Sequence, residues 1–234
     1  MPGRIALADE EAHRAMVALQ DLLRSQTSSA RYTMRVTTPD WQRSVRFEAW
    51  DDRPGKRFFI RILAPKKDKD TAYLKLGGNL WLYLPKLERD IRIPPSMMLS
   101  SWMGSDFTND DLVKSASVID DYTHRITARD GDGFTLESLP KDDAPVIWGK
   151  LVHVIGKDGI PRSETFYDEH GSQRRLLEFS KVRQMGGRRI PSLWVMHTLD
   201  EPGKQTALEL EQIEFDPALD DALFTRANLK RSGR

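Results

Sequence analysis

Residues 79–111 read NLWLYLPKLERDIRIPPSMMLSSWMGSDFTNDD. The stretch opens with NLWLYLP, an aromatic and aliphatic run of strand length. It passes through a charged turn, KLERD, into IRIP, a second short strand. PPSMMLSSWMGSDF follows, and it gathers Met97, Met98, Leu99, Trp102 and Met103 into seven positions with no charge before Asp106. A chain in water does not leave a contiguous apolar segment of that kind exposed. The segment is also too short, and too interrupted by proline, to span a bilayer. It must be buried by the chain's own sheet, by a partner, or against an apolar ligand.

The 234 residues permit one large β domain or two small ones. Thirty-six basic residues against thirty-five acidic give a formal net charge of +1, which removes the field that nucleic-acid binding needs. There is no cysteine, so disulfides, thiolate metal sites and lipid attachment through a cysteine of this sequence are excluded. No run reaches the roughly 18 apolar residues of a membrane-spanning helix. Ala6-Leu7-Ala8 ahead of Asp9 has the small-x-small form of a cleavage site, so residues 1–8 are expected to be either the remnant of an export leader or an added end in which the motif arises by chance, since alanine is common.

Residues 9–24, DEEAHRAMVALQDLLR, predict an amphipathic helix capped by Asp9, with Ala12, Ala15, Met16, Leu19, Leu22 and Leu23 on one face. SQTSS at 25–29 reads as a loop. Period-two alternation then begins: Tyr32, Met34 and Val36; Val45, Phe47 and Ala49; Phe58, Ile60 and Ile62; Ala72, Leu74 and Leu76 opposite Tyr73 and Lys75. TNDDLVKS predicts a short helix capped by Thr108 or Asn109. Beyond it, strand patterns flank DGDG at 130–133, KDGI at 157–160 and the glycine pair at 186–187, each a hairpin signal. Eleven to thirteen strands joined by hairpins predict one antiparallel meander in a single domain over 1–234. So wide a sheet must curl. The helix and the methionine-tryptophan segment are the material available to fill its concave face, and a shortfall in that filling would be a binding cavity.

The sequence offers little covalent chemistry. Five histidines, His13, His124, His153, His170 and His197, lie in separate elements without metal-ligand spacing. There is no G-x-S-x-G elbow and no phosphate-binding glycine pattern. The aspartate pairs fall mostly at strand ends and turns, where aspartate serves local backbone donors. The expectation is a protein that is not an enzyme and uses no metal or cofactor. The methionines leave two readings open, a flexible segment that only completes the core or a surface that adapts to apolar ligands.

RFFIRILAPKKDKDTAYLKL, NLWLYLPKLERDIRI and MMLSSWMGSDFTNDDL resemble the outer-membrane lipoprotein-sorting family, periplasmic proteins similar to LolA and LolB. The likeness runs from about residue 45 to 125 and returns weakly in DALFTRANLKR. The combination of W-x-Y-x-P at 81–85, the methionine-rich segment and M-G-S-D-F carries it. The resemblance implies a curved antiparallel sheet, an incomplete barrel, around a helical plug, with an apolar cavity between them. It implies a periplasmic carrier that shields acyl chains of a lipid or lipidated protein, with an inner-membrane exporter as a partner. The alternative is an accessory protein of such an exporter that carries nothing. Phe47, Phe58, Trp81, Met97, Met98, Leu99, Trp102, Met103 and Trp194 are the residues expected to form the cavity and plug. Trp102 is expected beside Met98, Leu99 or Met103. Trp81 could point the other way, because both faces of NLWLYLP are apolar.

Overall fold

A computed structural model of the chain describes residues 2–114 and 117–231, with side chains from Asp9 onward. Its strands are β1 (Thr27–Thr37), β2 (Gln42–Asp52), β3 (Arg57–Ala64), β4 (Ala72–Leu76), β5 (Asn79–Leu84), β6 (Arg89–Arg92), β7 (Tyr122–Asp130), β8 (Gly133–Pro140), β9 (Lys150–Gly156), β10 (Pro161–Tyr167), β11 (Gln173–Met185), β12 (Arg188–Thr198) and β13 (Gln205–Phe215). They form one 13-stranded antiparallel sheet in the order β6-β5-β4-β3-β2-β1-β13-β12-β11-β10-β9-β8-β7. Strands adjacent in sequence are adjacent in space, with one exception. β6 and β7 follow one another in the chain, yet they are the two free edges. The sheet is therefore an incomplete barrel, and the chain between β6 and β7 is a strap from one edge to the other.

Alternation builds each strand. In β2, Val45 and Phe47 are buried while Ser44 and Arg46 are exposed. The hairpins form where the sequence permits left-handed backbone. Gly186 and Gly187 join β11 to β12 with φ of 54° and 80°. A Cβ on Gly186 would lie 2.8 Å from the Phe215 ring, so only glycine fits there. β1 begins inside the loop expected at 25–29, because Thr27–Ser29 pair with Trp50–Asp52 of β2.

Two fillers share the concave face. Helix α1 (Pro2–Arg24) buries Ala12, Met16 and Leu19 against the β7–β12 half, among Leu136, Leu151 and Phe166. It starts seven residues ahead of the expected Asp9 cap, since a proline is tolerated in a first turn whose N–H groups have no partner. Of the expected leader remnant at 1–8, Met1 and the side chains of 2–8 lie outside the described residues. The strap fills the other half. It contains a 3-10 turn (Pro95–Met97), α2 (Asn109–Lys114) and α3 (Val118–Asp121). Trp102 and Val113 of the strap pack with Val45, Phe47, Phe58 and Ile60. Ser115, the predicted end of the short helix, lies outside the described residues.

The outer face of β3–β5 is covered as well. A 3-10 turn (Asp221–Phe224) and α4 (Arg226–Leu229) lay Phe224 and Leu229 on Phe59, Leu74 and Tyr83. Arg61 donates to the carbonyl of Asn228 at 2.8 Å and to that of Arg231. Lys230 and Arg226 both grip Asp90, and the hydrogen bonds they donate hold its carboxyl down to about 2. This cover reverses the expectation for Trp81. Its side chain sits on the outer face beneath the Arg226 guanidinium, 4.1 Å from the ring centre. A strand buried on both sides is apolar throughout, and alternation then carries no information about which face is which.

Candidate ligand cavity

The concave side is packed as two separate clusters, one under the strap and one under α1. Between them lies a cavity of 320 Å³. Phe47, Phe58 and Trp102 line it from the strap half, and Leu151, Phe166 and Trp194 from the helix half. The aromatic rings hold one another in edge-on contacts. Trp102 meets Phe47 at 5.3 Å and 90°, and Tyr73 at 5.7 Å and 72°. Trp194 meets Phe179 at 5.6 Å and Tyr32 at 6.4 Å. The wall reaches the surface at Ile147, which is 38% exposed. A second depression of 440 Å³ beside β7 is larger, but its lining residues are mostly charged or polar, Glu137, Arg125, His124 and Lys141 among them. The aromatic cavity is the one suited to an apolar ligand.

Four of the nine residues expected from the sequence, Phe47, Phe58, Trp102 and Trp194, lie in this wall. Met98 and Met103 are partly buried against the same cluster as Trp102 but do not reach the cavity. Met97 and Leu99 are 50% and 59% exposed, contrary to the burial expected of the whole segment. The chain turns there with about three residues per revolution, so Met98 faces the sheet while its neighbours point away. Trp81 is on the opposite face of the sheet.

The strap is held by directional bonds that sequence reading missed. Met103 and Gly104 have φ of 55° and 81°, which turns the chain sharply after Trp102. The Ser105 hydroxyl donates to the Trp102 carbonyl at 2.7 Å, and the Trp102 N–H donates to the Phe107 carbonyl at 2.7 Å. Asp106 is fully buried; its carboxylate accepts from the hydroxyls of Thr198 and Thr206, each at 2.6 Å. Thr108 and Asp111 cap α2 reciprocally, with N–H to side-chain oxygen distances of 2.7 and 3.2 Å. Arg175 on β11 then clamps Asp111 with both terminal nitrogens at 2.7 Å, and donates to the Asp106 carbonyl at 2.8 Å. Its guanidinium lies 4.5 Å from the Trp148 ring centre and 4.9 Å from that of Phe166. From β4, Lys75 donates to the Val113 carbonyl at 2.6 Å, and burial pushes its ammonium down to about 8.

Ionisable groups also stand in the wall itself. Arg24 bonds Asp51 at 2.6 and 2.9 Å. Burial raises the carboxyl of Asp110 above its usual range. Glu164 on β10 is pushed up to about 7, first by burial and then by the neighbouring Asp111. His153 approaches it, Nδ1 to Oε1, at 3.9 Å, and burial pulls that imidazole down to about 3. Burial disfavours the charged form of each, and with the imidazole neutral the contact is not an ion pair. Among the described residues no group of three or more histidine, aspartate or glutamate side chains is disposed to hold a metal.

A protein-family profile described as "Uncharacterized protein" matches residues 55–231. The chain belongs to that family. No curated protein matches it. Among solved structures it is similar to a DUF1329 family protein from Desulfovibrio piger, with a TM-score of 0.82 and 22% identity over 95% of this chain and 99% of that one. An outer-membrane lipoprotein-sorting protein domain from Vibrio parahaemolyticus gives 0.79 and 23% over 95% and 100%. A LolA superfamily protein from Nitrosomonas europaea gives 0.77 and 19% over 93% and 98%. The chain thus has the LolA-like fold, an incomplete antiparallel barrel, as the resemblance in its sequence implied.

Proposed function

We propose that the protein is a periplasmic carrier that shields acyl chains of a lipid or lipidated protein during transfer toward the outer membrane, with an inner-membrane exporter as a partner. The observation that carries this reading is the aromatic cavity at the seam between strap and helix. Each acyl CH₂ hidden from water is worth ~0.8 kcal/mol, so a long chain does not cross an aqueous space unaided at a useful rate. A carrier must cover the chain and still release it. At 320 Å³ the cavity is at the small end of ligand pockets, roughly 300–1,000 Å³, and a bulky cargo has to push strap contacts aside. That competition keeps net affinity moderate. The fold, shared with a lipoprotein-sorting domain and a LolA superfamily protein, supports the reading. A concave face filled by side chains would instead suit an accessory protein of an exporter that carries nothing; the open seam favours the carrier.

The test is to direct the protein to the bacterial periplasm with an export leader, purify it, and compare native mass spectra before and after solvent extraction. Acyl-bearing species in the extract, and rebinding of a fluorescent apolar probe by the stripped protein, are the expected results. Protein that emerges empty and does not take up the probe refutes the carrier reading.

A further inference from the structure

The cavity is apolar in its rings but acidic in its charges. Arg24 and Lys114 are the basic residues of its wall; Asp51, Asp110, Asp111 and Glu164 are the acidic ones. Two of the carboxylates are bonded to a cation, and Asp110 feels one only through space. Arg24 holds Asp51, Arg175 holds Asp111 from behind, and Lys114 stands one helical turn beyond Asp110. Among the described residues Glu164 accepts no hydrogen bond and pairs with no lysine or arginine. The His153 imidazole stands 3.9 Å away, beyond hydrogen-bond reach, Asp111 and Arg175 act on it through space, and its strand neighbours across the sheet are His153 and Leu177. It faces the cavity with its side chain 20% exposed. A carboxyl set among apolar walls with no protein donor is costly to ionise unless water or a ligand supplies the donor.

We propose that Glu164 selects the cargo, so that the cavity takes amphiphiles whose polar end donates a hydrogen bond or carries positive charge, such as an amine or an amide N–H, and disfavours those ending in a carboxylate. This rests on the carrier reading above and names the substrate class of the same cavity. An anionic end seated at Glu164 would stand against its carboxylate; among the described residues Lys114 is the wall cation without an ion pair, but it lies on α2, where its charge acts on Asp110, and not on β10. A donor end would give Glu164 a partner that the described residues do not supply. The overall charge of +1 gives no general preference for cations, so any such bias must arise locally. The position of Glu164 between the aromatic walls also fixes the depth of the polar end, with the chain running along Phe47, Phe58 and Trp194.

The whole delipidated protein is loaded with N-phenyl-1-naphthylamine at pH 8, and the probe is displaced by dodecylamine, dodecanamide or dodecanoate below their micellar concentrations. At that pH Glu164 is ionised for the most part, given its carboxyl at about 7. A hydrogen bond to a charged group predicts that the amine displaces the probe at concentrations roughly tenfold or more below those of dodecanoate, with the amide between them. Glu164→Gln keeps the side-chain shape, and in it the gap between amine and carboxylate should collapse while far-UV circular dichroism stays unchanged. Equal displacement by all three in the wild type, or an undiminished preference in Glu164→Gln, overturns the assignment of Glu164 and leaves the carrier reading standing. Failure of all three to displace the probe overturns both.

Discussion

Trp102→Ala separates a plug that completes the core from a plug that competes with cargo. The indole is 3% exposed and stands edge-on to both Phe47 and Tyr73 while forming part of the cavity wall. Truncating a buried tryptophan costs roughly 3–5 kcal/mol. The two edge-on ring contacts, each worth ~0.5–1.5 kcal/mol beyond area burial, place this one toward the upper end. For a chain of this size that is a fall in melting temperature of roughly 6–20 °C. The same substitution joins the vacated indole volume to the cavity. Thermal denaturation measures the first effect, and titration with N-phenyl-1-naphthylamine measures the second. If Trp102 only completes the core, stability falls and probe binding does not rise. If it competes with cargo, the variant binds the probe more tightly or in greater amount despite its lower stability. Trp102→Glu should weaken binding, because it puts a carboxylate against apolar walls. Equal binding by wild type and both variants, all folded by circular dichroism, would refute the reasoning that makes this segment part of a cargo site.

The pH dependence of stability follows from two opposed shifts. Glu164 is raised from an ordinary 4.5 to about 7, so its protonated form favours the fold; that contribution is complete below pH 4.5 and is lost as pH rises through 7. Around it stand His153 from β9, Arg175 from β11, Asp110 and Asp111 from α2, and Tyr122 from β7. Glu164→Gln should therefore match the wild type near pH 4 and exceed it at pH 8 by up to about 3 kcal/mol in urea denaturation. His153 and His124 act in the other direction, since burial lowers them from 6.5 to about 3 and about 4. Their contribution is present above pH 6.5 and disappears as pH falls toward 3, so replacing His153 with Gln should flatten the acid limb of the stability profile. Arg175→Ala leaves Asp111 buried without its cation and should destabilise by roughly 3–5 kcal/mol, whereas Asp111→Asn in the same background should recover part of that loss.

Much of the sheet was legible because alternation is a local signal. Met34, Val36, Val45, Phe58, Ile60 and Ile62 all face the core that their spacing indicated. The same signal failed where two layers cover one strand. Ala72 and Leu74 face outward beneath the C-terminal segment, while Tyr73 and Lys75 face the strap, and nothing in AYLKL distinguishes those sides. Met97 and Leu99 were misread for a related reason: composition marks a segment for burial without saying which side chains a tight turn will carry inward. The bonds that hold the strap were beyond reach because their partners are distant in the chain. Asp106 finds Thr198 and Thr206, separated by 92 and 100 residues, and Asp111 finds Arg175 at a separation of 64.

Glu164 belongs to a different category. In PRSETFY it looks like one of several polar residues on a half-exposed strand, yet it shares the inward face with Phe166, two positions on. An inward carboxyl beside Leu177 and a neutral histidine contradicts the pattern that built the rest of the sheet. Local patterning and global fold agree along most of this chain, and a disagreement between them marks a place where stability alone does not account for the residue. Lys75 is a similar violation, but its ammonium is answered by the Val113 carbonyl, so the strap explains it. No such protein partner answers Glu164 among the described residues. That difference is what directs attention to Glu164, rather than to the exposed methionines, when asking what the cavity admits.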